Sequence, residues 1–251
     1  MQRAIEFGLA AALTMFALLT NDQVTAQQDS ATARPTLHPY TARYNVRYHG
    51  ISGGDIEVTL KAEGNGRYLF RSHLLPNFLG SLFTSDQAED SSELELTDAG
   101  LRPLKFRSED GSKNTDKDIS LDFDWAQDRV KGHANGKDFE MKVPKGTQER
   151  LSIQLAASLI LQADRDPGTL TMLERDELQQ YTITRKGKEH ITTAAGDYDT
   201  AVLNSERIGG SSRSTRYWYA EKLGYVVVRA ERLSHGKVDI VMELKSVKMG
   251  E

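Results

Sequence analysis

Six histidines are the first place to look for metal or acid–base chemistry: His38, His49, His73, His133, His190 and His235. No two lie within a few residues of each other, whereas a zinc site needs closely spaced ligands on one element. The chain has no cysteine. That removes thiolate metal sites, disulfides, a thiol nucleophile and a lipid-modified N-terminal cysteine together. Asp122, Asp124 and Asp128 fall at positions 1, 3 and 7 of a calcium loop, but Gln127 stands at the obligatory glycine and His133 at the bidentate glutamate. The stretch Phe123 to Asp128 therefore reads as a hairpin turn. Asp116 and Asp118 alternate about Lys117, which on a strand places both carboxylates on one solvated face; acid–base work would require that face to lie in a cleft. Neither H-E-x-x-H nor G-x-x-x-x-G-K-[ST] occurs, and Ser211 to Ser214 reads as a solvated hairpin tip. The expectation is a protein without catalytic residues, metal or cofactor.

Two apolar features suggest binding instead. In Tyr217-Trp218-Tyr219, strand alternation turns Trp218 away from the two tyrosines. One face of that strand could thus line an apolar pocket with polar tips, suited to an acyl chain or a glycan. Its alternative is a core tryptophan. The segment Pro76 to Phe83 carries Phe78, Leu79, Leu82 and Phe83 and reads as a core turn or as a lid over a ligand, the core reading being favoured because a large apolar patch rarely stays exposed. These four residues with Tyr217, Trp218 and Tyr219 form the candidate ligand-binding set.

The elements that must position them are strands. Period-two alternation recurs, as in Tyr44-Val46-Tyr48 and Ile56-Val58-Leu60, and Gly-, Asn- and Asp-rich turns separate the runs at short intervals. Strands are expected near 41–49, 54–62, 67–75, 86–96, 101–109, 116–124, 129–134, 137–143, 169–174, 178–185, 188–194, 198–207, 213–220, 225–234 and 237–248. Such a meander predicts an all-β, mainly antiparallel fold: a strongly curved sheet forming a spiral or partly closed β-barrel, since closure removes exposed edges. One apolar helix over 148–163, capped by Thr147 and stopped by Pro167-Gly168, should lie inside or against the sheet.

The N-terminus reads as an export signal. Arg3 precedes an apolar run from Gly8 to Leu19 that closes on Val24-Thr25-Ala26, a run too short to span a bilayer. Cleavage near Ala26 would leave a flexible arm over 27–39 and a single domain over 40–251, placed in the periplasm and not membrane-spanning. The formal charge of −4 is spread along the chain, without the basic face a nucleic-acid partner requires.

The stretch Thr215 to Arg229, with its aromatic pair, Ala220, Glu221, Leu223-Gly224 and a Val-Arg strand, resembles a bacterial exported family, domain of unknown function 3108. So do Tyr40 to Gly54, Leu101-Arg102-Pro103-Leu104 with Leu121 to Trp125, and Gln148 to Leu161. The resemblance covers nearly all of 40–248 and brings no catalytic residues with it. It implies an envelope protein with an unclosed barrel and an internal helix, some similar proteins holding lipid or lipoprotein acyl chains. Three functions follow as expectations: a binder of a lipid or other hydrophobic envelope ligand, a structural or interaction protein with an envelope protein partner and a filled core, and, third, a hydrolase of envelope polymers.

Overall fold

The computed structural model describes residues 34–82 and 85–250. The expected signal segment, the first part of the expected arm, and Phe83 lie outside the described residues. Fourteen strands of the described residues form one antiparallel sheet: β1 (Tyr40–Tyr48), β2 (Ile51–Gly64), β3 (Arg67–Pro76), β4 (Glu89–Thr97), β5 (Gly100–Glu109), β6 (Ile119–Asp124), β7 (Arg129–Ala134), β8 (Lys137–Lys142), β9 (Gly168–Glu174), β10 (Glu177–Thr193), β11 (Gly196–Arg207), β12 (Arg213–Ala220), β13 (Val226–Ser234) and β14 (Lys237–Met249). Among the described residues one α-helix, α1 (Ser152–Gln162), stands between β8 and β9.

The spatial order β8-β7-β6-β5-β4-β3-β2-β1-β14-β13-β12-β11-β10-β9 is a meander in two arms joined by the pairing of β1 with β14. Its two edges, β8 and β9, do not pair with each other. The segment after β8 covers the β9 edge instead: Gln148 N–H donates to the Thr171 carbonyl, and Leu173 N–H to that of Gln148, each at 2.8 Å. The Gln148 amide also reaches the Leu101 carbonyl on β5 at 2.9 Å, so this one residue ties the far edge to the opposite arm. The β8 edge carries Lys137, Asp138, Glu140 and Lys142, all exposed, charges that discourage edge-to-edge association. The result is the expected curved, partly closed sheet.

Local differences from the expected elements have physical causes. The runs 178–185 and 188–194 are one strand, β10, because Gly187 (φ +112°) sits in a bulge at Arg185/Gly187 rather than in a turn. Thr115–Lys117 forms a 3-10 turn, so Asp116 and Asp118 do not share a strand face. The helix is shorter than expected and Thr147 does not cap it, since the Thr147 hydroxyl bonds the Pro144 carbonyl. The cap is Glu149: its carbonyl takes the first helical N–H, from Ile153, at 3.0 Å, and its carboxylate accepts the Ser152 N–H at 2.8 Å while the Ser152 hydroxyl accepts the Glu149 N–H at 2.9 Å. This is a capping box with its usual residue types exchanged. Residues 34–39 are not a loose arm either. Leu37 is buried, and Thr36 exchanges hydrogen bonds of 2.9 and 3.0 Å with the Gln162 side chain at the end of α1.

Candidate functional site

A cavity of about 220 Å³ lies between α1 and the strands β1, β2 and β3. Alternation builds its wall. Tyr40, Ala42 and Tyr44 are the buried positions of β1, and the register sets Tyr40 against Leu60, Ala42 against Val58 and Tyr44 against Ile56, with Leu60 facing Phe70 on β3. The Tyr40 and Phe70 rings meet edge-on at 6.4 Å. From the helix side come Leu151, Gln154, Leu155 and Ser158, and from the other arm Tyr219, Val226, Val227 and Met242.

Polar groups in this wall are few and mostly engaged. The Tyr44 hydroxyl donates to the Val227 carbonyl at 2.8 Å and that of Tyr219 to the Gln154 carbonyl at 3.4 Å. Burial pushes the Tyr40, Tyr44 and Tyr219 phenols above their ordinary range, so they stay protonated near neutrality. Arg150 and Asp90 line the cavity as an ion pair. The guanidinium also donates to Ser108 Oγ at 2.6 Å and lies 5.5 Å over the Phe106 ring. Since its side chain is 47% exposed, this pair marks where the cavity meets solvent. His38, also exposed, hydrogen-bonds Thr36 (3.2 Å).

Such a site can hold an apolar group and present a cation and an anion to whatever polar end it carries. Its volume exceeds the roughly 150 Å³ of an engineered apolar cavity that takes up benzene. It falls below the roughly 300 Å³ at which drug-sized pockets begin. It fits part of a chain rather than a whole lipid.

Of the seven residues offered by the sequence for a ligand, Tyr219 lines this cavity. Tyr217 and Tyr219 share the face of β12 that packs on Ala157 and Leu161 of α1. Trp218 takes the opposite face, as alternation requires. Its indole N–H donates to Glu189 at 2.9 Å, and the Arg216 and Arg229 guanidinium groups stand 5.9 and 5.4 Å over the ring. Phe78 and Leu79 correct the core reading of their loop, being 80% and 49% exposed. The cause is backbone stitching. Asn77 bonds Gly53 and Ser52 with its N–H and side-chain amide, and a Cβ at Gly80 would stand 1.9 Å from the Gly53 carbonyl oxygen, so the backbone occupies the inner space and the side chains turn out. Leu82 ends the 3-10 turn Gly80–Leu82 of the same loop.

The remaining chemistry-bearing residues do not converge. His133 pairs with Asp138 and His190 with Asp199, each across its own hairpin, at 2.6 and 2.8 Å. Among the described residues no three His, Asp or Glu side chains gather as metal ligands would. Gly50-Ile51-Ser52-Gly53-Gly54 and Ser234-His235-Gly236-Lys237 fit G-x-S-x-G and S-x-x-K, yet each lies in a hairpin rather than in the strand–turn–helix setting of a nucleophile elbow. Ser52 Oγ accepts from Asn45 at 2.8 Å.

Sequence reasoning missed Tyr40, Arg150 and Asp90. The alternation of β1 could have found Tyr40; nothing in the sequence signals that Arg150 meets Asp90, 60 residues away.

The architecture is similar to that of a β-barrel-like protein of domain of unknown function DUF1849 from Brucella abortus, with a TM-score of 0.56 at 11% identity over 86% of this chain and 99% of that one. Weaker likenesses are to the MucA/MucB complex of Pseudomonas aeruginosa (TM-score 0.41, 10% identity, 88% of this chain, 54% of that) and to the hypothetical lipoprotein YmcC from Escherichia coli (0.33, 11%, 85%, 86%). At such identities the likeness is one of fold alone. No curated protein matches the sequence. The model of the family described as protein of unknown function (DUF3108) matches residues 43–245, and the chain belongs to that family.

Proposed function

We propose that this protein is a non-catalytic component of the bacterial cell envelope, exported to the periplasm, that holds an apolar ligand such as an acyl chain between α1 and β1–β3. The carrying observation is the cavity of about 220 Å³ walled by Tyr40, Val58, Leu60, Phe70 and Leu155, with Arg150 and Asp90 at its solvent side. A holding role is supported by the state of its ionisable groups. The carboxylate is paired with Arg150 and the phenols are kept protonated by burial.

The test is mass spectrometry of an organic extract of the protein, purified from the periplasm without detergent, beside that of Val58→Phe, whose ring would occupy the cavity. Wild type is expected to carry a stoichiometric apolar molecule and the folded variant to lose it. An empty extract, repeated with lipid supplied, would sink this reading and favour an interaction protein of the envelope.

A further inference from the structure

Among the described residues the large hydrophobic side chains that stand exposed are Tyr48, Ile51, Phe78, Leu79, Ile208 and Val238. All six lie at one end of the sheet. Tyr48 and Ile51 pair across the β1–β2 turn. Phe78 and Leu79 occupy the β3–β4 loop, which Asn77 fastens to Gly53 at 3.1 Å and to the Ser52 carbonyl at 2.8 Å. Val238 follows the β13–β14 turn, reached from β1 through the His49 N–H bond to Asp239 at 2.8 Å. Ile208 is in the β11–β12 turn, which the His235 N–H joins at Ser212 with a bond of 2.6 Å. Four turn tips thus form one continuous rim. The opposite end of the sheet, with the β2–β3, β4–β5, β6–β7 and β10–β11 turns, has no exposed large hydrophobic among the described residues.

The charge of this rim is mainly basic. The four turns, 48–51, 77–88, 207–213 and 234–238, contain Arg207, Arg213, Lys237, His49 and His235 against the single carboxylate of Asp86. Among the described residues no ion pair engages Arg207, Arg213 or Lys237. Isolated apolar side chains on separate hairpin tips, interspersed with unpaired cations, form no groove for a peptide. They match an interface where apolar groups enter the acyl boundary and cations meet phosphates.

We propose that this rim is a membrane-docking surface that seats the protein on an anionic lipid bilayer. The inference is independent of the cavity and its ligand.

The experiment is co-sedimentation of protein expressed from the full chain, its N-terminus defined by mass spectrometry and identical in all variants. The probes are vesicles of phosphatidylglycerol with phosphatidylcholine and vesicles of phosphatidylcholine alone. Wild type is expected on the anionic vesicles, with binding falling as salt rises. Both Phe78→Ser/Leu79→Ser and Arg213→Glu/Lys237→Glu should weaken it about tenfold or more. Lys61→Glu/Lys145→Glu, an equal change of charge away from the rim, should leave it within about twofold. Circular dichroism establishes that each variant is folded. Absence of wild-type binding to either vesicle would overturn the proposal, as would equal loss in the Lys61/Lys145 variant. Vesicle binding indifferent to both rim variants, or rim variants that disrupt only association with a protein, would overturn it too.

Discussion

The hydroxyl of Ser92, in the middle of β4, donates to Oε1 of Glu149 at 2.8 Å, and both residues are fully buried. The same carboxylate takes the N–H groups of Leu151 at 2.7 Å and Ser152 at 2.8 Å. One side chain therefore caps α1 and fastens it to the sheet, and the helix wall of the cavity hangs from that attachment. Burial pushes the Glu149 carboxyl up, against the donors of Leu151, Ser92 and Ser152 that favour its charged form.

Removing the carboxylate leaves those donors buried without an acceptor. Glu149→Ala is expected to cost about 3 kcal/mol, the sum of a lost cap and unsatisfied donors. Ser92→Ala removes a single bond and should cost about 1 kcal/mol. Urea denaturation of the two variants and wild type checks the ordering. Equal losses would mean that the attachment to β4, rather than the cap, dominates.

Tyr44 offers a cleaner test of the cavity wall, because its hydroxyl is spent on the Val227 carbonyl across the sheet. Tyr44→Phe keeps the ring that lines the cavity and strands one carbonyl. Stability should fall by about 1 kcal/mol while the extracted ligand stays the same in kind and amount. A changed ligand complement would show that the hydroxyl contacts it.

Trp218 carries a different expectation from its neighbours. Its indole N–H is committed to Glu189, and the ring is closed off beneath Arg216 and Arg229 on the face of β12 away from α1. Trp218→Phe should cost about 2 kcal/mol through the lost bond to a charged acceptor and leave ligand recovery unchanged. Tyr219→Ala, on the cavity side, should abolish recovery. The reverse pattern in the extracts would place the ligand on the other face.

The strands were legible because alternation and turn chemistry are local. Tyr40 and Tyr44 fall on the buried face that the pattern of β1 implies, and Trp218 opposite Tyr217 and Tyr219 follows from pleating alone. Gly187 misled because a positive-φ glycine serves a bulge as well as a turn, and only cross-strand register tells them apart. Phe78 and Leu79 misled because hydrophobicity alone argues for burial; what turns them out is the approach of the Gly80 backbone to Gly53, a contact between residues distant in sequence. The cap at Glu149 was hidden since its residue types are exchanged relative to the common box. The ion pair of Arg150 and Asp90 depends wholly on how the sheet curls.

Acid sensitivity should come from the cluster that joins β1, β2 and β14. Burial would raise the Asp55 carboxyl, but Lys245 (2.8 Å), Asn45 (3.3 Å) and Arg43 (2.8 Å) outweigh it and hold it below the ordinary carboxylate value. Between its folded value and the unfolded one near about 3.9, the unfolded chain binds more protons, so stability rises with pH across that window. The contribution is complete above the unfolded value and disappears as pH falls through the folded one. One such group steepens the profile by at most about 1.4 kcal/mol per pH unit. Asp239, held down by Arg232 through bonds of 3.0 and 2.7 Å, acts with the same sign, so Asp55→Asn should flatten only part of the slope. Urea midpoints of wild type and Asp55→Asn are expected to differ most near neutrality and to converge as the pH is lowered below the carboxylate range. Curves that stay parallel throughout would mean that Asp55 ionises alike in the folded and unfolded chains, and that the bonds to Lys245 and Arg43 contribute nothing to the acid limb.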